Sequence, residues 1–112
     1  MLPRPNRLVK DADFKRLAKT GRSFSSPNFY LKTIVGGANP PSFGIVISAK
    51  VNKRATVRNL LKRRLSEIIL RLLPEMKTGR QVMLVAKTSA TTLTYQELGQ
   101  EIEMLLESAR II

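Results

Sequence analysis

The apolar positions of this chain change period several times, and each change predicts an element. In "VKDADFKRLAKTG", Phe14, Leu17 and Ala18 recur at helical spacing, Asp11 or Asp13 can cap the start, and Gly21 supplies a stop. "SPNFYLKTIV" alternates instead, with Phe29, Leu31 and Thr33 on one side and Tyr30, Lys32 and Ile34 on the other, as on a strand. The turn cluster "GGANPPS" runs from Gly36 to Ser42, and "FGIVISAK" after it sends Phe43, Ile45 and Ile47 one way. These two runs predict an antiparallel hairpin.

A long helix follows. Thr56 is placed to cap it, its apolar stripe runs Val57, Leu61, Leu65, Ile68 and Leu72, and Leu60, Ile69 and Leu73 widen the stripe before Pro74 ends it. After a turn at Thr78 and Gly79, "GRQVMLVAK" is apolar almost throughout, which suits a strand covered on both faces. In "TYQELGQEIEMLLESA" Thr94 and Glu97 stand at capping-box spacing, and Leu98, Ile102, Leu105 and Leu106 point inward. The order helix, strands, helix, strand, helix makes an α+β two-layer sandwich, in one domain over residues 1–112.

Charge changes the picture most. The chain carries a formal net charge of +12, so self-repulsion must be offset by an anionic partner, nucleic acid first. Residues 1–64 hold 15 Lys and Arg against 2 acids, while residues 65–112 hold 5 against 6. One half is a basic face and the other a scaffold. With no Cys and no His, thiol nucleophiles, imidazole bases, disulfides and zinc modules have no residues to build them. The acids form no catalytic set either: Asp11 and Asp13 read as caps, and Glu97, Glu101, Glu103 and Glu107 as a polar helix face. "MLPRPNRLVK" lacks the apolar core of a signal peptide and no stretch has the length of a membrane span, so a cytoplasmic protein without membrane contact is expected.

The cations concentrate in "KVNKRATVRNLLKRR", seven in fifteen residues with no acid among them. On a helical wheel Arg58, Lys62 and Ser66 form one row and Asn59 and Arg63 the next, beside the apolar stripe. Lys50, Lys53 and Arg54 precede the helix, whose N-terminal dipole end adds to their charge. Arginine forks onto phosphate oxygens, lysine acts as a point charge, and Asn59 can read an edge or a 2′-hydroxyl. A charge run is often only a solvated face, but this density at a helix start, in so basic a chain, points to the phosphates of a nucleic acid. Tyr30 and Lys32 form a second candidate surface for an unpaired nucleotide, or Tyr30 packs against a helix. Phe14 is open to the same choice between core and stacking platform. A structural RNA-binding protein of ribosomal type fits these observations too; a groove-reading DNA helix does not, for want of a short helix and tight turn before it.

Three blocks, "NRLVKDADFKRLAKTGRSF", "FGIVISAKVNKRATVRNLLKRRLSEII" and "QVMLVAKTSATTLTYQELGQEIEMLL", resemble the protein subunit of bacterial ribonuclease P in order and spacing. The family's motif, Arg-Asn-Arg followed by a basic pair, is matched by Arg58-Asn59-Leu60 and then Lys62-Arg63. The resemblance implies a left-handed βαβ crossover, against the usual hand, in the topology of the second domain of ribosomal protein S5. It implies a catalytic RNA that removes the 5′ leader of precursor tRNA with RNA-held Mg²⁺, one protein per RNA, and no catalytic residue on the protein. Lys50, Lys53, Arg54, Arg58, Asn59, Lys62 and Arg63 then face the catalytic RNA, joined by Arg64 if it substitutes for the motif arginine that Leu60 replaces. Phe14 matches an aromatic of the leader cleft, with Lys15, Tyr30 and Lys32 expected beside it. Ala18 and Lys32 stand where relatives often carry further aromatics, so the grip implied is more electrostatic.

Overall fold

The computed structural model describes residues 2–37 and 39–112. Helix α1 (Asp11–Thr20) is followed by strands β1 (Arg22–Ser25), β2 (Phe29–Val35) and β3 (Ser42–Val46), helix α2 (Ala55–Leu72), strand β4 (Arg80–Ala86) and helix α3 (Tyr95–Ser108). The four strands form one sheet in the order β1-β2-β4-β3. All seven residues of β2 pair antiparallel with β4, Phe29 opposite Ala86 and Val35 opposite Arg80. Strand β3 runs parallel to β4, with α2 as the connection between them.

The expected hairpin of β2 and β3 therefore does not form, because β4 inserts between them. The insertion is built into the turn cluster. Gly36 donates to the Gly79 carbonyl at 2.7 Å, and Gly79 donates to the Asn39 carbonyl at 2.8 Å, so the turn wraps the entry of β4. Gly79 has φ +72°, and a Cβ there would collide with the carbonyl oxygens of Gly36 and Gly37. Only glycine passes so close. Ala38, at the centre of that turn, lies outside the described residues. The short edge strand β1 has no counterpart in the apolar pattern, since of its four residues only Phe24 packs toward the core.

Alternation decides the two faces of the sheet. Phe29, Leu31, Thr33, Val82 and Leu84 are buried on one face, in a core shared with Leu61, Leu65, Ile68, Ile69 and Leu72 of α2 and Leu98, Ile102, Leu105 and Leu106 of α3. Each fully buried Leu or Ile in this core contributes about 1.5 to 3 kcal/mol relative to exposure. Helix α3 starts as expected: Thr94 N donates to Glu97 Oε1 at 2.9 Å and Glu97 N to Thr94 Oγ1 at 3.2 Å.

The other face carries Tyr30, Lys32, Ile34, Gln81, Met83 and Val85, all half-buried. Helix α1 lies across it, with Leu8 of the preceding segment beside Phe14 at Gly44. Lys32 Nζ donates to the Ala18 carbonyl at 2.7 Å, and Arg16 hydrogen-bonds Gln81. Leu17, fully buried, fixes α1 there together with Leu8, both apart from the main core. One helix cannot cover the whole face, so β4 is fully buried on one side and only half covered on the other. Several local expectations are corrected. Thr56 does not cap α2, whose N-cap is Arg54, and neither Asp11 nor Asp13 caps α1, which starts from Lys10 with both acids already inside its first turn. Ala18 and Leu60 are exposed, and Ile47 lies beyond the end of β3.

Candidate nucleic-acid interface

The loop from Ile47 to Arg54 is shaped before the helix begins. Val51 is buried and donates from its N–H to the Ser48 carbonyl at 3.0 Å, and Asn52 Oδ1 accepts from Arg54 N at 2.9 Å. Arg58 then turns back from the first turn of α2. Its Nη1 donates to the carbonyls of Asn52 at 2.7 Å and Lys53 at 3.0 Å. The half-buried guanidinium clamps the loop, while Lys50, Lys53 and Arg54 stand exposed around it. The first turn of α2 holds no acidic residue and no side-chain cap, so nothing there opposes the positive end of the helix dipole.

Asn59, Lys62 and Arg63 are exposed along the outer side of α2. Ser66, which the wheel places in the same row as Arg58 and Lys62, is buried and donates to the Lys62 carbonyl at 2.9 Å. The cationic row therefore ends at Lys62. Leu60, 42% exposed, and half-buried Arg64 share the other flank, where both line a small hollow with Ala90, Thr91 and Leu93. Arg64 thus occupies the side on which Leu60 stands, away from Arg58.

Phe14 and Lys62, placed in different groups by sequence, line the same hollow of about 290 Å³ with Leu8, Val9 and Gly44. The Phe14 ring lies over Gly44, and a Cβ at that position would collide with it. Half-buried Phe14 thus has a fixed seat without belonging to the main core. Tyr30 lies on the α1 face, opposite Val85 on β4 and Ser25 on β1, turned away from the main core. Lys15 is exposed on α1. Lys32 lies on the α1 face too, but its ammonium is engaged by the last turn of α1 and braces that helix. Gly44 and Asn52 are the site residues that sequence reasoning missed. The Phe43-Gly44 step inside a strand is the signal for a close approach.

Among the described residues no three His, Cys, Asp or Glu side chains converge as metal ligands, and no helix is long and apolar enough to cross a membrane. A cationic helix start beside a half-covered, aromatic-bearing sheet face defines an α+β RNA-binding domain. The ribonuclease P family model matches residues 2–110. The ribonuclease P protein component of Synechococcus elongatus is 40% identical over 117 residues, spanning 99% of this chain and 95% of its own. That of a Cyanothece strain is 34% identical over 128 residues, 100% and 98% of the two chains. Among solved structures, the Staphylococcus aureus RNase P protein superposes with TM-score 0.84 at 25% identity over 95% of this chain and 96% of its own. The Thermotoga maritima protein, in complex with 1-(4-fluorophenyl)-2-thiourea, superposes with TM-score 0.83 at 25% identity, over 90% and 97%. The chain belongs to the ribonuclease P protein component family and serves ribonuclease activity as a subunit of that holoenzyme. This membership sets aside the ribosomal alternative.

Proposed function

We propose that this chain binds the catalytic RNA of ribonuclease P through the start of α2 and holds the 5′ leader of precursor tRNA against the α1 face of the sheet. The RNA subunit hydrolyses the phosphodiester with Mg²⁺ that it carries itself, and the protein supplies binding and orientation. Lys50, Lys53, Arg54, Asn59, Lys62 and Arg63 offer phosphate and edge contacts to the catalytic RNA, and Arg58 keeps their loop in shape. Arg64 adds charge on the Leu60 flank. Phe14 and Tyr30 offer stacking surfaces to unpaired bases, with Lys15 and Lys32 adding positive charge beside them.

The observation that carries this reading is the shared hollow of Phe14 and Lys62. It joins the leader surface to the RNA-binding helix across strand β3, where a strand leaving a cleavage site would pass from one to the other. Reconstitution tests it. The isolated protein should cleave nothing, and adding it to a cognate catalytic RNA at low Mg²⁺ should restore 5′ processing of precursor tRNA with one protein bound per RNA. Failure of the protein to stimulate that RNA would overturn the reading.

A further inference from the structure

A hollow of about 520 Å³ lies between the β1–β2 turn and the outer side of α3. Strands β1 and β3 are the two edges of the sheet. The hollow shared by Phe14 and Lys62 flanks β3, whereas this one opens beside the end of β1, three strand spacings or about 14 Å across the sheet. That exceeds the screening length of about 8 Å at physiological salt. The charge met at this edge is therefore set by the residues around it and not by the net +12 of the chain.

Those residues are acidic. Helix α3 carries Glu97, Glu101, Glu103 and Glu107 and no Lys or Arg. Glu97, Gln100, Glu101, Met104 and Ser108 recur at i, i+3, i+4, i+7 and i+11, so they form one stripe along the hollow, with Glu103 and Glu107 exposed next to it. No Lys or Arg lines the hollow. Lys87 is bound to the turn, its Nζ donating to Ser25 Oγ at 3.0 Å and to the Ser26 carbonyl at 2.7 Å, which leaves one cation against four carboxylates. Such a rim repels RNA and anionic lipid alike.

The floor is apolar. Pro27, Leu93 and Met104 contribute to it, and Met104 is 68% exposed, a flexible and polarisable side chain of the kind that adapts to a partner. The walls are fixed in advance: Glu101 accepts from Ser26 Oγ, Asn28 N and Asn28 Nδ2, and Glu97 is held by its box with Thr94. An apolar recess with rigid acidic walls selects a ligand that is apolar at one point and cationic around it.

We propose that this hollow docks a basic segment of another protein, with one apolar side chain against Pro27 and Met104 and its neighbouring Lys or Arg residues facing Glu97, Glu103 and Glu107. The cationic start of α2 is at the opposite edge of the sheet, so the segment and the catalytic RNA occupy the chain together without competing.

The test uses the full chain and a short fluorescein-labelled peptide with one Leu among Lys and Arg residues, beside two controls in which Glu replaces the cations or Ser replaces the Leu. Because it is read without RNA, its outcome is independent of the leader reading. Fluorescence anisotropy at physiological salt should give a Kd below about 0.1 mM for the basic peptide and no binding of either control. Met104→Gln and Gln100→Lys change exposed side chains; each should weaken the complex roughly three- to tenfold, with the thermal melt and the stimulation of a cognate catalytic RNA unchanged. No binding, binding that persists in both variants, or equal binding of a control would overturn the proposal. So would a loss of stimulation in the variants, which would assign this face to the RNA, or a dimer in sedimentation that Met104→Gln dissolves, which would assign it to a second copy of the chain.

Discussion

The Phe14 ring occupies the space in which a side chain at Gly44 would begin. An aromatic on α1 is thereby seated on an edge strand of the sheet, beside Lys62 of α2. Gly44→Ala should displace the ring and weaken leader binding to a similar extent as Phe14→Ala, about 1 to 3 kcal/mol for a stacked base. The double variant should bind no worse than Phe14→Ala alone, because the two changes act through one contact. Fluorescence anisotropy with a leader oligonucleotide measures this, and strict additivity would show that Gly44 does not act through Phe14. A large fall in melting temperature for Phe14→Ala without RNA would instead make the ring a packing residue.

Arg58 and Arg63 lie on adjoining rows of α2 but differ in what they hold. Arg63→Ala should lower the salt slope for binding the catalytic RNA by about 0.9 and leave the melting temperature unchanged. Arg58→Ala should also release the carbonyls of Asn52 and Lys53 and reduce stability by about 1 to 2 kcal/mol. Salt-dependent filter binding paired with thermal melts separates the two, and identical melts would show that the clamp contributes nothing.

Leu60 stands where the family motif carries arginine, and it is 42% exposed on the flank of Arg64. Leu60→Arg should therefore fold normally and tighten the catalytic RNA complex, with a salt slope steeper by about 0.9. Arg64→Ala should do the reverse in the natural background. If Arg64→Ala leaves affinity and slope unchanged, Arg64 does not substitute for the missing arginine.

The Glu97 carboxylate is held below its ordinary value near 4.5 by the Thr94 backbone N–H it accepts, and further by the Thr94 hydroxyl. The ionised form is the one stabilised. Its contribution is fully present above the ordinary glutamate value and declines as pH falls through the lowered folded-state value. Thr94→Ala removes one member of the box and should flatten the acid limb of melting temperature against pH below 4.5. An unchanged acid limb would show that the box is too exposed to contribute.

Glu101 accepts from Ser26 Oγ at 2.5 Å, Asn28 N at 2.8 Å and Asn28 Nδ2 at 2.6 Å, tying the β1–β2 turn to α3. Glu101→Ala should lower the melting temperature, with faster hydrogen exchange confined to Ser26–Phe29 and β1. Uniform acceleration across the sheet would show that this edge does not open on its own.

Local and periodic features were legible in the sequence. The helical stripes of α2 and α3, the alternation of β2 and the Thr94–Glu97 box depend on residues close in the chain, and all are present in the structure. The density of charge around the start of α2 was equally plain, because like charges without acids need no fold to be counted. Helix starts were read less well: the Asp and Thr side chains near α1 and α2 are in the first turns, and the Asn52 side chain and the Arg58 clamp shape the entry to α2 instead.

Pairing between distant segments was decided by tertiary structure. Nothing local distinguishes β3 from β4 as the neighbour of β2. The choice depends on a turn wrapped around Gly79 and on a full seven-residue register with a strand that arrives only after α2. The same topology turns Tyr30 to the open face, gives Lys32 to the end of α1, and seats Phe14 on Gly44 beside Lys62. The sequence by itself determined the three helices, the three longer strands, the basic face and the resemblance to ribonuclease P proteins, since composition and short-range periodicity carry them. Only the tertiary structure decided which side chains share a surface, because each contact there joins residues whose separation along the chain carries no signal of their proximity.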